Sequence, residues 1–194
     1  MRSEQKRHLE TTRSDPEAGY FLKIAHSIQV MVWGAIGPNE IRTNLIRCPA
    51  SVNAETYCRL LGDNYVFAQC YQKLGYFVWQ QDGAPPHRAV ADLIKPLVSC
   101  MLEWPARSPD LSPIEQIWSY LKHQLRGKTF ATQDTIFSAL ETEWNNMPVE
   151  LVHNFWESYW ARCKVCLYHH GAPLNGKWKE VHTIHDQYRQ KTGR

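Results

Sequence analysis

The sequence predicts an α/β fold in which a mixed sheet is flanked by helices, and three observations predict it. Short apolar runs rich in β-branched and aromatic residues, IQVMVWGAI (28–36) and YFVWQ (76–80), close on turn signals and read as strands. Longer segments repeat their apolar residues every three to four positions and read as helices. The two kinds alternate from residue 28 to residue 103, the order of an α/β chain. At 194 residues, with 43% hydrophobic residues, eight tryptophans and nine tyrosines, the chain can bury one sizeable core.

Element by element, residues 1–19 are polar and charged without periodicity, so they read as a leader or the stub of something larger. Order is expected from Tyr20. Residues 28–36 and 41–47 form antiparallel strands around the Gly37-Pro38-Asn39 turn. Residues 51–74 space Tyr57, Leu60, Leu61, Tyr65, Val66 and Leu74 as one helix, capped by Asn53 or Ser51 and ended by Gly75. Residues 76–80 make a buried strand that stops at Gln81-Asp82-Gly83. A helix over 88–98, weakened by Pro96, and a short strand over 100–103 follow. Beyond a proline-punctuated loop, residues 114–125 form an amphipathic helix with Ile114, Ile117, Trp118, Leu121 and Leu125 on one stripe. Helices are expected at 132–145 and 149–168, and the polar residues 175–194 are expected to fray. The domain proper therefore spans 20–174.

Net charge is +3 and the sequence pI about 8.5, which permits nucleic-acid contact but falls short of a strongly basic DNA-binding domain. No apolar run approaches the roughly 18 residues of a membrane span, and no signal-peptide core follows the charged N-terminus. An intracellular protein is expected, not a secreted one. Six cysteines scattered through apolar stretches fit reduced thiols.

Two carboxylates stand out. Asp82 ends a strand ahead of Gly83, where the backbone can pass close to a ligand, although Asp-Gly is also an ordinary turn. Glu115 completes a capping box, Ser112-Pro113-Ile114-Glu115, yet its position about 100° from the apolar stripe lets it flank the buried face. On the same helix Lys122, His123 and Arg126 are read as exposed, with Lys122 and Arg126 the candidates for contacting DNA phosphates. Cys163 and Cys166, with His169 and His170, have spacing that zinc accepts, but they fall inside a helical pattern.

With these residues in view, the sequence resembles the mariner superfamily of DDE transposases, whose catalytic domain has a ribonuclease-H-like fold. VMVWGAI (30–36) is similar to that domain's central strand, QQDGAPPH (80–87) to the segment bearing its second aspartate, and WPARSPDLSPIEQIWSYLK (104–122) to the segment bearing its third carboxylate. FWESYWARCKVCLYHHGA (155–172) resembles the helix that closes the domain, so the likeness runs over about 28–171. It implies that Asp82 and Glu115 ligate catalytic magnesium or manganese and that His87, which the family pattern also carries, lies beside the site. It further implies metal-dependent cleavage and strand transfer of transposon-end DNA. A homodimer is expected, nuclear in a eukaryotic host, with no membrane and no small-molecule organic cofactor.

Three departures qualify this. Residues 83 to 114 number 32, slightly fewer than the glutamate-bearing branch carries. The family's first aspartate ends an apolar strand with a sequence like FSDE, and no such strand precedes residue 30; Ser3-Glu4 and Ser14-Asp15 do not follow one. Nor is the family's helix-turn-helix region found in the sequence. The expected fold is thus a ribonuclease-H-like sheet missing its first strand or strands, with two carboxylates of three. In-line phosphodiester displacement uses two metal ions about 3.5–4 Å apart on hard oxygen ligands, and the first aspartate is usually the shared one. A decayed relic that keeps the fold and weak DNA binding without catalysis is the alternative. A zinc-stabilised module is the third reading.

Overall fold

The computed structural model describes residues 20–21, 28–38, 41–174 and 176–192. The expected leader, with Ser3-Glu4 and Ser14-Asp15, and Asn39 of the expected turn lie outside the described residues. Strands β1 (Tyr20–Phe21), β2 (Met31–Trp33) and β3 (Ile46–Arg47) form one antiparallel sheet in that order. An isolated bridge between Ile36 and Arg42 carries the β2–β3 pairing toward the turn. The expected antiparallel pair is present, with shorter regular strands. Strand alternation then sorts the side chains: Val30, Val32 and Leu45 join one core, while Trp33 and Ile46 join another on the opposite face. Helices therefore cover the sheet on both sides.

The second sheet is parallel and pairs β4 (Val78–Trp79) with β5 (Cys100–Met101). Parallel strands need a crossover, and α3 (Pro85–Ile94) supplies it. This helix starts three residues before the expected Arg88. Pro85 and Pro86 occupy its first positions, where the missing amide N–H costs nothing and the fixed φ suits a helix.

The single helix expected over 51–74 is two helices, α1 (Ala54–Asp63) and α2 (Val66–Leu74). Asn53, not Ser51, caps α1, in a reciprocal capping box with Thr56. The break follows from Asn64, whose amide donates to the Leu60 carbonyl at 2.8 Å and so competes with the helical ladder. Tyr65 then takes a left-handed conformation, φ 50°, before α2 resumes. Tyr57, Leu60, Leu61 and Val66 still bury against Phe77, Trp79, Val90 and Ile94.

Helices α4 (Pro113–Gln124), α5 (Gln133–Asn145) and α6 (Val149–Tyr168) match the expected amphipathic segments. Ile117, Trp118 and Leu121 of α4 pack with Ile136, Leu140 and Trp144 of α5 against Val30, Val32 and Leu45. The Trp144 indole N–H donates to the Thr43 carbonyl at 2.9 Å. Gly34 makes room for that ring, since a Cβ there would lie 2.7 Å from it.

The tail does not fray as expected: residues Trp178–Thr192 form α7. Its sparse apolar side chains recur at helical spacing, with Val181 and His185 buried and Ile184 half-buried on one face. Val181 packs with Leu111, Ala161, Val165 and Leu174 in a third, smaller core. Among the described residues no helix is long and apolar enough to cross a membrane.

Candidate active site

Asp82 lies just past the end of β4, where the chain leaves the parallel sheet for α3. Its Oδ1 accepts the Ala84 amide at 3.1 Å, an Asx turn, so the turn reading of Asp-Gly is correct for that oxygen. The same Oδ1 meets His87 Nδ1 at 2.5 Å. An ionised carboxylate only accepts, which places the shared proton on Nδ1. Burial works against the Asp82 charge, but the His87 bond, its charge and the Ala84 amide outweigh it and hold the carboxyl below its ordinary range. The Asp82 side chain is 55% exposed, and no described group donates to Oδ2.

Glu115 occupies the third position of α4, half-buried on the flank of the apolar stripe. The expected capping box does not form. Ser112 is the cap residue but its hydroxyl makes no capping bond, and its carbonyl is drawn to the Arg162 guanidinium at 3.3 Å. The Glu115 carboxylate accepts no hydrogen bond among the described residues. Burial pushes its pKa up to about 7, with the Lys122 charge pulling the other way. Lys122 is also half-buried, which corrects its expected exposure: two turns along α4 from Glu115, it answers that carboxylate, and burial lowers its own pKa. His123 and Arg126 are exposed as expected.

Asp82 follows a strand that packs in one core and Glu115 begins a helix that packs in the other, and no described hydrogen bond or ion pair joins the two carboxylates. No family model matches the chain. The chain is 33% identical over 147 residues to the Tcb1 transposase of Caenorhabditis briggsae, a match covering 74% of this chain and 53% of that protein. It is 34% identical over 93 residues to the Tc1 transposase of Caenorhabditis elegans, covering 47% and 34%. The catalytic domain of Mos1 transposase, solved with raltegravir and manganese, superposes with a TM-score of 0.68 at 22% identity, covering 80% of this chain and 82% of that one. Over about three quarters of its length the chain is similar to transposases of the Tc1 and mariner type. Its fold is the ribonuclease-H-like fold of that catalytic domain. The chain spans about half the length of the Tcb1 transposase it matches. A Mos1 paired-end complex with left transposon end also superposes at 0.68 and 18% identity, covering 88% of this chain and 52% of that one.

For a mariner-type site the donor chemistry of both residues fits a hard divalent cation. One Asp82 oxygen is pinned and the other has no described donor, while the half-buried Glu115 carboxylate has no hydrogen bond among the described residues to stabilise its charge. Among the described residues no group of three His, Cys, Asp or Glu side chains is gathered closely enough to hold a metal. Strand β1 contributes no acidic residue. The zinc spacing is absorbed by packing: Cys163 and Cys166 of α6 border the third core, and His169 Nε2 pairs with Glu180 of α7 at 2.8 Å.

Sequence reasoning missed three contributors. Gln81 and Tyr57 bind the segment that carries Asp82, and Arg162 binds the segment that leads into Glu115. A signal for Gln81 exists: strand alternation from Phe77 through Trp79 puts residue 81 on the inward face, where an amide must find partners.

Proposed function

We propose that this chain is the catalytic-domain portion of a DNA transposase, binding DNA and holding a divalent cation on Asp82 and Glu115 for phosphodiester cleavage. What supports it is a strand-end Asp82 fixed through one oxygen, together with a half-buried Glu115 whose carboxylate accepts no hydrogen bond among the described residues, in a chain similar to transposases. Magnesium or manganese, when bound, supplies a Lewis acid for the attacking and leaving oxygens. Asp82 presents its free oxygen, His87 fixes the orientation of that carboxylate, and Glu115 contributes the second negative charge from α4. Arg126 and His123, on the exposed side of α4, contact DNA phosphates, and two copies act together on two DNA ends, in the nucleus of a eukaryotic host.

The test uses duplex DNA carrying the ends of the element that encodes the chain. Binding should weaken steeply with salt, and Arg126→Ala should lower the salt slope by about one phosphate contact. With magnesium or manganese, wild-type protein should nick the ends while Asp82→Asn and Glu115→Gln do not. Salt-sensitive binding without nicking in the wild type would favour the relic. Salt-insensitive binding would remove DNA from the reading altogether.

A further inference from the structure

Around Asp82 lies a closed set of hydrogen bonds that no ordinary strand-to-helix turn requires. The Tyr57 hydroxyl donates to Gln81 Oε1 at 3.2 Å, and the Trp79 indole N–H donates to the same oxygen at 3.1 Å. With its oxygen so occupied, the Gln81 amide has one orientation, and its Nε2 donates to the His87 carbonyl at 3.0 Å. The Tyr57 ring lies 4.6 Å from the His87 imidazole, tilted by 44°. His87, its side chain only 14% exposed, reaches Asp82 Oδ1. Every link runs inward to outward: Tyr57 is 1% exposed in the core, Gln81 is half-buried, and Asp82 faces solvent.

We propose that Gln81, braced by Tyr57 and Trp79, is a positioning residue that fixes the His87 backbone and ring so that Asp82 is held through Oδ1 and offers Oδ2 outward to a divalent cation. A carboxylate free to rotate would spend conformational entropy on each binding event; one anchored through an imidazole with a defined tautomer does not. Tyr57 acts twice, its hydroxyl setting the Gln81 amide and its ring limiting the imidazole. Gln81 therefore governs Asp82 without touching it, across a six-residue turn in which the prolines at 85 and 86 already restrict the backbone. The inference rests on the reading of Asp82 as a cation ligand, and its test separates the two.

The test compares wild type with Gln81→Met, which keeps the side-chain length and removes the amide, and with Tyr57→Phe, which keeps the ring and removes the hydroxyl. Two quantities are read. In the metal-free protein, nitrogen NMR of the His87 ring, assigned through His87→Gln, reports the Nδ1–H bond to Asp82. Manganese affinity, measured by calorimetry with Asp82→Asn as the blank, reports the offered oxygen. The Trp144 indole N–H resonance, in the other core, reports whether the fold is intact.

The expected result is that Gln81→Met shifts or broadens the His87 Nδ1–H signal and weakens manganese binding about tenfold or more, with Trp144 unmoved. Tyr57→Phe should do the same in smaller measure. A wild-type His87 signal together with wild-type manganese affinity in Gln81→Met would overturn the proposal. Should Trp144 move in that variant, Tyr57→Phe decides on the same two readings. Should wild-type protein bind no manganese in an Asp82-dependent way, the cation reading fails, and the His87 signal alone decides the positioning role.

Discussion

The two carboxylates of the candidate site are opposite cases of one physical problem, and the difference gives Glu115 a measurable signature. Asp82 is compensated by His87 and the Ala84 amide and ionises readily, whereas Glu115 is half-buried with only the Lys122 charge in its favour. Its folded pKa of about 7 stands above the ordinary 4.5, so between those values the folded state binds more protons than the unfolded chain. Stability must therefore fall as pH rises from about 4.5 to 7 and level off above, by on the order of 3 kcal/mol for this group. Glu115→Gln removes that loss: urea unfolding should show the variant more stable than wild type at pH 8 and little different at pH 4. An unchanged difference between the two pH values would show that Glu115 titrates normally. Arg162, fully buried, donates to the carbonyls of Asp110, Ser112 and Phe155, and burial pulls its own pKa down to about 10. Arg162→Ala leaves a cavity and unmatched carbonyls, so a loss on the order of 3 kcal/mol is expected in urea melts at pH 7. The Glu115 titration, followed by carboxyl carbon NMR, should relax toward 4.5 in the same variant because the start of α4 loosens.

At the scale of elements, what the sequence made legible was local. The apolar spacing of α4, α5 and α6, the Asn53 cap and the strand ahead of Asp82 all follow from neighbours within a few residues. The division of 51–74 at Tyr65 was not legible, because Asn64 can either continue a helix or compete with it, and packing of Leu61 and Val66 on both sides decides. Helix α7 was hidden for a different reason: few of its residues are apolar, and it docks through polar groups whose partners lie on α6. Glu157, its side chain 10% exposed, faces His153 at 3.1 Å on its own helix and His185 and Arg189 of α7 at 3.7 and 3.9 Å. One carboxylate thus serves three cationic or titratable groups, and the apolar share of the docking falls on Val181, Ile184 and the Tyr188 ring, which lies 4.8 Å from that of Trp160 on α6. Val181→Asp places an unpaired charge in the third core and should release α7, seen as protease cleavage after residue 174 and a loss of helical circular dichroism. Retained protection would mean that the Glu157 cluster alone suffices to hold the helix.

At the scale of the whole molecule the sheet of β1, β2 and β3 divides the interior, and the elements that carry the two carboxylates pack on different faces of it. Asp82 extends from β4, whose Phe77 and Trp79 pack with α1, α2 and α3, while Glu115 begins the helix whose Ile117 and Leu121 pack with α5. Asp82 and Glu115 could be singled out in the sequence as candidates; the packing of the elements that carry them on opposite faces of the sheet could not, because it depends on how two cores stack. A cation bound by both carboxylates would tie the halves together, and its free energy would add to the stability of the whole domain. At a concentration one hundred times the dissociation constant that increment is about 2.7 kcal/mol. Manganese should then raise the thermal midpoint of wild-type protein at pH 8, where Glu115 is ionised, and do so less at pH 5.5, where it is mostly protonated. Asp82→Asn and Glu115→Gln should each abolish the increase if the ion bridges the two halves. If Asp82→Asn abolishes it and Glu115→Gln leaves it intact, the ion is held on the β4 side alone, and α4 serves the site only through its exposed basic face.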